Sequence, residues 1–249
     1  MALIMWIGAG LFTAATPLEA ACRQALAIGL DVSGSVDDGD YALQKNGLAA
    51  ALEDAAVQAA FLSHPAQPIA LSVFEWSGLA YQQTLVGWTV ISDQAALYRI
   101  RDHLRKVPRQ PAPAQTALGY AMIAGANMLR QAPDCAIWML DISGDGKNND
   151  GPRPQDDVVR QAVAGVTING LVVGTGGHKD ATRPTGIADL SAYFRAYVIR
   201  GPAAFVEVAL GFEDYQRAMT RKLLREMESA LLGGKAAPDG SGLRVAEAW

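Results

Sequence analysis

The chain has 249 residues, of which 50% are hydrophobic, and carries 21 basic and 25 acidic side chains for a net charge of -4. That length and apolar content suit one large α/β domain or two small ones. Neither a basic block nor a basic stripe interleaved with aromatics occurs, which argues against a nucleic-acid partner.

The first segment, "MALIMWIGAGLFTAATPLEAAC", is apolar from Ala2 to about Ala15 and then meets Pro17, Ala20 and Ala21. It reads as a secretory signal peptide over residues 1–21 and so places the protein in the periplasm or outside the cell. No Lys or Arg precedes the apolar run, which leaves two alternatives. An uncleaved anchor would need roughly 20 apolar residues, more than this run supplies. A lipoprotein would use Cys22, but Glu19 stands where such signals want an apolar residue.

Beyond the signal, strand and helix patterns alternate. Gln24–Val32 is a near-continuous apolar run, as in a strand covered on both faces. Apolar residues at helical spacing predict one helix over Asp40–Leu62. Strands follow at Ile69–Trp76 and Thr84–Ile91, the latter at an edge, then a helix at Asp93–Lys106 and a proline-rich loop, Pro108–Gln115. A helix is expected at Thr116–Arg130, a strand at Cys135–Ile142, a helix at Gln155–Ala164 and a strand at Thr167–Val173. The pattern closes with a helix at Asp189–Tyr197, a short strand at Ala204–Ala209 and a helix from Phe212 to Leu232, ended by Gly233–Gly234. Residues 22–232 thus form one domain, and 233–249 read as a disordered tail. Such alternation argues for a mostly parallel sheet with helices on both faces, which binds ligands beyond the carboxyl ends of its strands where strand order reverses.

The only cysteines are Cys22 and Cys135. In an oxidising compartment a lone pair is a natural disulfide. Each precedes an aspartate by nine or ten residues along an apolar run (Asp31 and Asp145), so both lie at one end of the sheet if the two runs are neighbouring strands. The alternative is two unrelated buried thiols.

Three polar clusters follow a strand or open a helix: Asp31-x-Ser33-x-Ser35, Thr116 in "QTALGYAM", and Asp145 in "SGDGK". Two carboxylates and three hydroxyls are the oxygen donors a hard cation takes. Mg²⁺ in particular uses few carboxylates and keeps open or water-filled positions. Taken singly each has a bland reading: loop filler, a helix cap at Thr116, a Gly-Asp-Gly turn. Together, at these points of an α/β pattern, they read as one metal site. Asp37, Asp38 and Asp40 are read instead as first-turn acids of the following helix. Asp141, inside a strand four residues before Asp145, fits a supporting role at the site or a hydrogen-bonded core acid. Glu75 ends the second strand and is read as a solvated strand end, the alternative being an approach to the site.

With these residues in place the chain resembles the von Willebrand factor A domains, whose metal-ion-dependent adhesion site joins Asp-x-Ser-x-Ser, a downstream threonine and an aspartate after the fourth strand. The likeness runs from about Ala25 to Leu232, and "LDVSGSVD", "DISGDGKNNDGP", "GVTINGL" and "VIRGPAAFVEVA" resemble a bacterial branch of secreted proteins of undetermined function. The resemblance implies a Rossmann-like, doubly wound sheet with strands one and four adjacent. It implies Mg²⁺ or Mn²⁺ held by Asp31, Ser33, Ser35, Thr116 and Asp145, and a protein partner that offers an acidic side chain without catalysis. Lys147, Asn148 and Asn149, beside the metal, are candidates for partner contact. Gly144 departs from the threonine many relatives carry and removes one supporting hydroxyl. The enzymatic rival is a haloacid-dehalogenase-like phosphatase with Asp31 as nucleophile and Asp145 on Mg²⁺. That chemistry needs an acid two residues after the nucleophile, where this chain has Ser33.

Overall fold

The computed structural model describes residues 22–174 and 185–233. The expected signal peptide and all of the expected tail beyond Gly233 lie outside these residues.

Six strands form one sheet in the order β3-β2-β1-β4-β5-β6: β1 Cys22–Asp31, β2 Ile69–Trp76, β3 Gln82–Ile91, β4 Cys135–Gly144, β5 Thr167–Val173 and β6 Val206–Ala209. All neighbouring pairs are parallel except β2 and β3, so the antiparallel strand is an edge, as the sequence suggested. Every residue of β1 and β2 is buried. Alternation assigns the two faces of β1. Leu26, Ile28 and Leu30 face a core built with α1 (Asp38–Ala51), α3 (Gln94–Lys106) and α7 (Tyr215–Gly233). Ala25 and Ala27 face the core under α4 (Leu118–Leu129) and α5 (Asp157–Ala162). Each fully buried Leu or Ile contributes about 1.5–3 kcal/mol, so the two cores hold the sheet between its helical layers, and the parallel pairing of β1, β2, β4, β5 and β6 puts their carboxyl ends at one pole.

The helix expected over Asp40–Leu62 is two helices. α1 ends at Ala51, and α2 (Ala55–Leu62) starts afresh because Asp54 caps it, its carboxylate accepting from the Ala56 and Val57 N–H groups. Periodicity carried through the break because α2 is apolar at every position but Gln58, so Ala55, Ala59 and Leu62 match the spacing although the face it buries is Val57, Gln58 and Phe61. The helix expected at Asp189–Tyr197 is α6, Thr185–Tyr193, followed by a π-helical turn, Phe194–Val198. Asp38 and Asp40 lie in the first turn of α1, as expected, whereas Asp37 is its N-cap, in a reciprocal capping box with Asp40.

Cys22 and Cys135 are directly opposite in the β1–β4 register, with Cα atoms 4.5 Å apart, and are joined by a disulfide. The core also holds charge. Lys222 of α7 lies 2.7 Å from Asp141 of β4 and 2.5 Å from Glu226, all three fully buried. The Asn169 amide donates to Glu226 at 2.9 Å. Asp141 is therefore a paired core acid that anchors α7 to the sheet. Burial pushes its carboxyl up to about 7 against the pull of Lys222. Burial opposes the charge of Lys222, but Asp141 and Glu226 outweigh it and raise its pKa. Among the described residues no helix is long and apolar enough to cross a membrane.

Candidate metal centre

The strand order reverses between β1 and β4, and both strands release their chains at the same pole. β1 ends on Asp31. Its Oδ1 accepts the Ser33 N–H at 2.8 Å, curling the loop, while Gln44 from α1 donates to its carbonyl at 2.9 Å. The loop carries Ser33 inward, with no exposure, and leaves Ser35 exposed. The two hydroxyl oxygens are 3.4 Å apart, and Ser35 Oγ donates to Asp145 Oδ1 at 2.6 Å. The loops after β1 and β4 are thus joined through side chains of the cluster itself.

Thr116 arrives from a third direction. Its N–H donates to Asn149 Oδ1 at 2.8 Å, its carbonyl accepts from Asn149 N at 2.9 Å, and the next N–H, of Ala117, donates to Ser77 O at 2.8 Å. The hydroxyl caps no helix: α4 begins at Leu118 without a side-chain cap from Ala117, and Asn148 Oδ1 takes the Gly119 N–H at 3.0 Å instead. A Cβ built on Gly146 would lie 3.7 Å from Thr116 Oγ1, which puts that hydroxyl against the backbone just past Asp145. Gly34 permits the remaining closure. Its N–H donates to Ala114 O at 3.0 Å, and a Cβ there would come within 2.8 Å of the Ala114 Cβ.

Asp31, Ser33, Thr116 and Asp145 are all buried, and the second oxygens of both aspartates, Oδ2, have no hydrogen-bond partner. A buried carboxylate oxygen without a partner costs several kcal/mol of lost hydration. Burial, with the Asp145 charge beside it, pushes the Asp31 carboxyl up to about 8. Burial also raises Asp145, against the hydrogen bond from Ser35. A Cβ at Gly144 would sit 3.4 Å from Asp31 Oδ2, so the glycine leaves that oxygen uncovered. Among the described residues no group of three or more His, Cys, Asp or Glu is disposed around a cation. The donor set here is different: two carboxylates and three hydroxyls. Its unpaired oxygens and hard-donor chemistry fit a divalent ion such as Mg²⁺.

Of the residues placed beside the site by sequence, Lys147 and Asn149 are exposed. Lys147 pairs with Asp189 at 2.5 Å and lies over the Tyr193 ring. The side-chain oxygens of Asn148 and Asn149 hold the Thr116 segment. Glu75 corrects an expectation: it is buried and accepts from Tyr41 OH at 2.5 Å and Tyr81 OH at 3.4 Å. It cannot be a solvated strand end, because both tyrosines fold over it from α1 and from beyond β2. Sequence reasoning missed Gln44, Ser77 and the clamping role of the asparagines. The polar run "KNND" was the sole signal for the last of these.

The order of this sheet, with its single antiparallel edge and a polar cluster at the β1–β4 crevice, is that of a von Willebrand factor A-like domain. The chain is similar in fold to the von Willebrand factor type A protein from Catenulispora acidiphila, with 12% identity and a TM-score of 0.55 over 83% of this chain and 43% of that one. It is likewise similar to proximal thread matrix protein 1 from the mussel byssus, whose MIDAS motif is zinc-occupied (17%, 0.54, 85% and 49%). A third similar structure is the pilus adhesin SpaC from Lactobacillus rhamnosus GG (13%, 0.55, 86% and 31%). The chain spans half the length of these proteins or less. It belongs to the family described as Protein of unknown function (DUF1194), whose model matches residues 21–231. No curated protein gives a significant match.

Proposed function

We propose that this protein is a non-enzymatic, divalent-metal-dependent protein-binding domain, secreted or periplasmic, with Asp31, Ser33, Ser35, Thr116 and Asp145 holding Mg²⁺ or Mn²⁺ directly or through water. The observation that carries the reading is the pair of buried carboxylate oxygens without a hydrogen-bond partner, Asp31 Oδ2 at the end of β1 and Asp145 Oδ2 just past the end of β4, with the Ser35 hydroxyl bonded to the other oxygen of Asp145. When bound, the cation supplies positive charge to an acidic side chain of a partner protein. The residues of this chain do the rest. Two aspartates supply only two negative charges, and neutral hydroxyls complete the donor set, so the ion keeps charge for an outside carboxylate. Asn148 and Asn149 hold the threonine loop against the β4 loop, and exposed Lys147 and Asn149 flank the position a partner would take. The adhesin and matrix proteins of similar fold support protein binding, and the disulfide supports an oxidising compartment.

The test is thermal unfolding of the purified protein with and without millimolar Mg²⁺, compared with a Ser33→Ala/Ser35→Ala/Thr116→Ala variant. A ligand that binds only the folded state stabilises by RT ln(1 + [L]/Kd). A shift in the wild type that is lost in the variant supports the reading. A shift that survives favours the phosphatase geometry, which does not use those hydroxyls, and makes Asp31 a nucleophile to be tested with a phosphomonoester.

A further inference from the structure

At the opposite pole, where β5 begins, a cavity of about 330 Å³ is lined by Arg160, Val163, Thr167, Arg200, Gly201 and Pro202 among others, with no acidic residue in its wall. Arg200 forms no ion pair with any described residue. Its Nη2 donates to the Pro154 carbonyl at 2.6 Å and to the Tyr197 carbonyl at 3.3 Å, and its Nε is buried without a partner. These carbonyls fix the guanidinium but do not neutralise it. Arg160 is near enough that its charge, after burial, helps hold Arg200 below its ordinary pKa. Arg160 itself leans on Asp157, a highly exposed carboxylate that can release it to solvent at small cost. Two like charges converging on one concavity are a standing electrostatic cost that a counter-ion would relieve.

Chain geometry holds the pair in place. An isolated bridge joins Ile168 to Arg200, with Ile168 N donating to Arg200 O at 2.8 Å and Arg200 N to Ile168 O at 3.1 Å. Gly201 follows at φ 90°, and a Cβ there would come within 2.8 Å of Thr167 Oγ1, so the turn closes tightly on the threonine. Arg160 comes from the last turn of α5. The two carbonyls occupy the Nη2 protons of Arg200 and leave its Nη1, and Arg160 brings a second guanidinium, so the pair can supply charge-assisted donors to a tetrahedral oxyanion.

We infer that this cavity is an anion site, in which Arg160 and Arg200 bind a doubly charged phosphate group. It is distinct from the metal centre and does not depend on it. The cavity exceeds one phosphate in size, so the group can belong to a soluble phosphate ester or to a lipid headgroup.

The experiment titrates inorganic phosphate into the purified full chain by calorimetry, in low salt with EDTA present so that no metal bridges phosphate to the aspartates. Wild type is compared with Arg160→Gln and Arg200→Lys. Each substitution removes a charge-assisted hydrogen bond to phosphate, so either is expected to raise the Kd about tenfold. Arg160 is largely exposed, so its variant keeps the test decisive if the Arg200 variant folds poorly. Absence of heat in the wild type to tens of millimolar phosphate would overturn the inference, as would binding that both variants retain unchanged. Vesicles containing phosphatidic acid, a lipid whose headgroup is a phosphomonoester, added in a second arm separate the sources. Co-sedimentation that phosphate reverses assigns the headgroup, and phosphate binding without co-sedimentation assigns a soluble ester.

Discussion

Replacing Asp31 with Asn should stabilise the metal-free protein while abolishing its response to metal. The carboxyl rises from its usual 3.8 to about 8 because burial removes its hydration and Asp145 repels it. The folded state therefore binds this proton more tightly than the unfolded chain does. A group of this sign gives stability that is fully present below pH 4 and is lost as the pH climbs through about 8. Each tenfold change in proton affinity is about 1.4 kcal/mol, so the ceiling on this loss is on the order of 5 kcal/mol. Water entry and side-chain relaxation reduce it, and about 2–3 kcal/mol at pH 8 is expected. For a domain of this size that is a gain of roughly 4–12 °C in Tm for the Asn variant in EDTA at pH 8. Asn keeps an oxygen for the Ser33 N–H, so the turn survives. At pH 4 the two proteins should melt together. Asp141 also titrates, but it does so in both proteins and cancels in the difference. Saturating Mg²⁺ should raise the wild type and leave the variant unmoved. A variant less stable than wild type in EDTA at pH 8 would refute the reasoning, since it would mean that the Asp31 charge is not held against its solvation.

Lys222→Met should leave two buried acids without their cation and cost about 3–5 kcal/mol, read as a fall in the denaturant midpoint; replacing Asp141, Lys222 and Glu226 together by apolar residues should recover most of it. The Cys22–Cys135 disulfide closes a loop of 113 residues, so Cys22→Ser/Cys135→Ser should lose about 4–5 kcal/mol. Intact mass of the oxidised chain should sit about two hydrogens below that of the reduced chain, and two free thiols in protein from its native compartment would remove this prediction. Gly119→Ala should drive a Cβ into the backbone of Pro152 and Arg153. Because Asn148 ties that loop to α4, the variant should weaken Mg²⁺ binding severalfold without touching a proposed ligand, measured by titration at pH 8. Chelation of wild type should lower its Tm more at pH 8 than at pH 5, where protons already occupy Asp31.

The sequence by itself determined the sheet and where the polar cluster lies on it. Strand runs such as "QALAIGLDV" and "CAIWMLDI" are apolar throughout because parallel strands are covered on both faces, and that pattern needs no partner to be read. Asp31, Thr116 and Asp145 were legible for the same reason, since polar residues that end apolar strands or open helices stand out against hydrophobic neighbours. The split at Asp54 was not legible, because the segment after it is apolar at every position but Gln58 and so matches any helical spacing continued from α1. Nor were the roles of Asp141, Glu75 and the asparagines. A buried acid is tolerated according to what crosses it in space: Lys222 lies 81 positions from Asp141 along the chain, and Tyr41 lies 34 from Glu75. The same holds for the two arginines of the basic cavity, which belong to separate segments and meet where β5 begins. Local periodicity reports which face of an element is apolar. Which charges share a low-dielectric space depends on contacts between distant segments, and only the tertiary structure decided those.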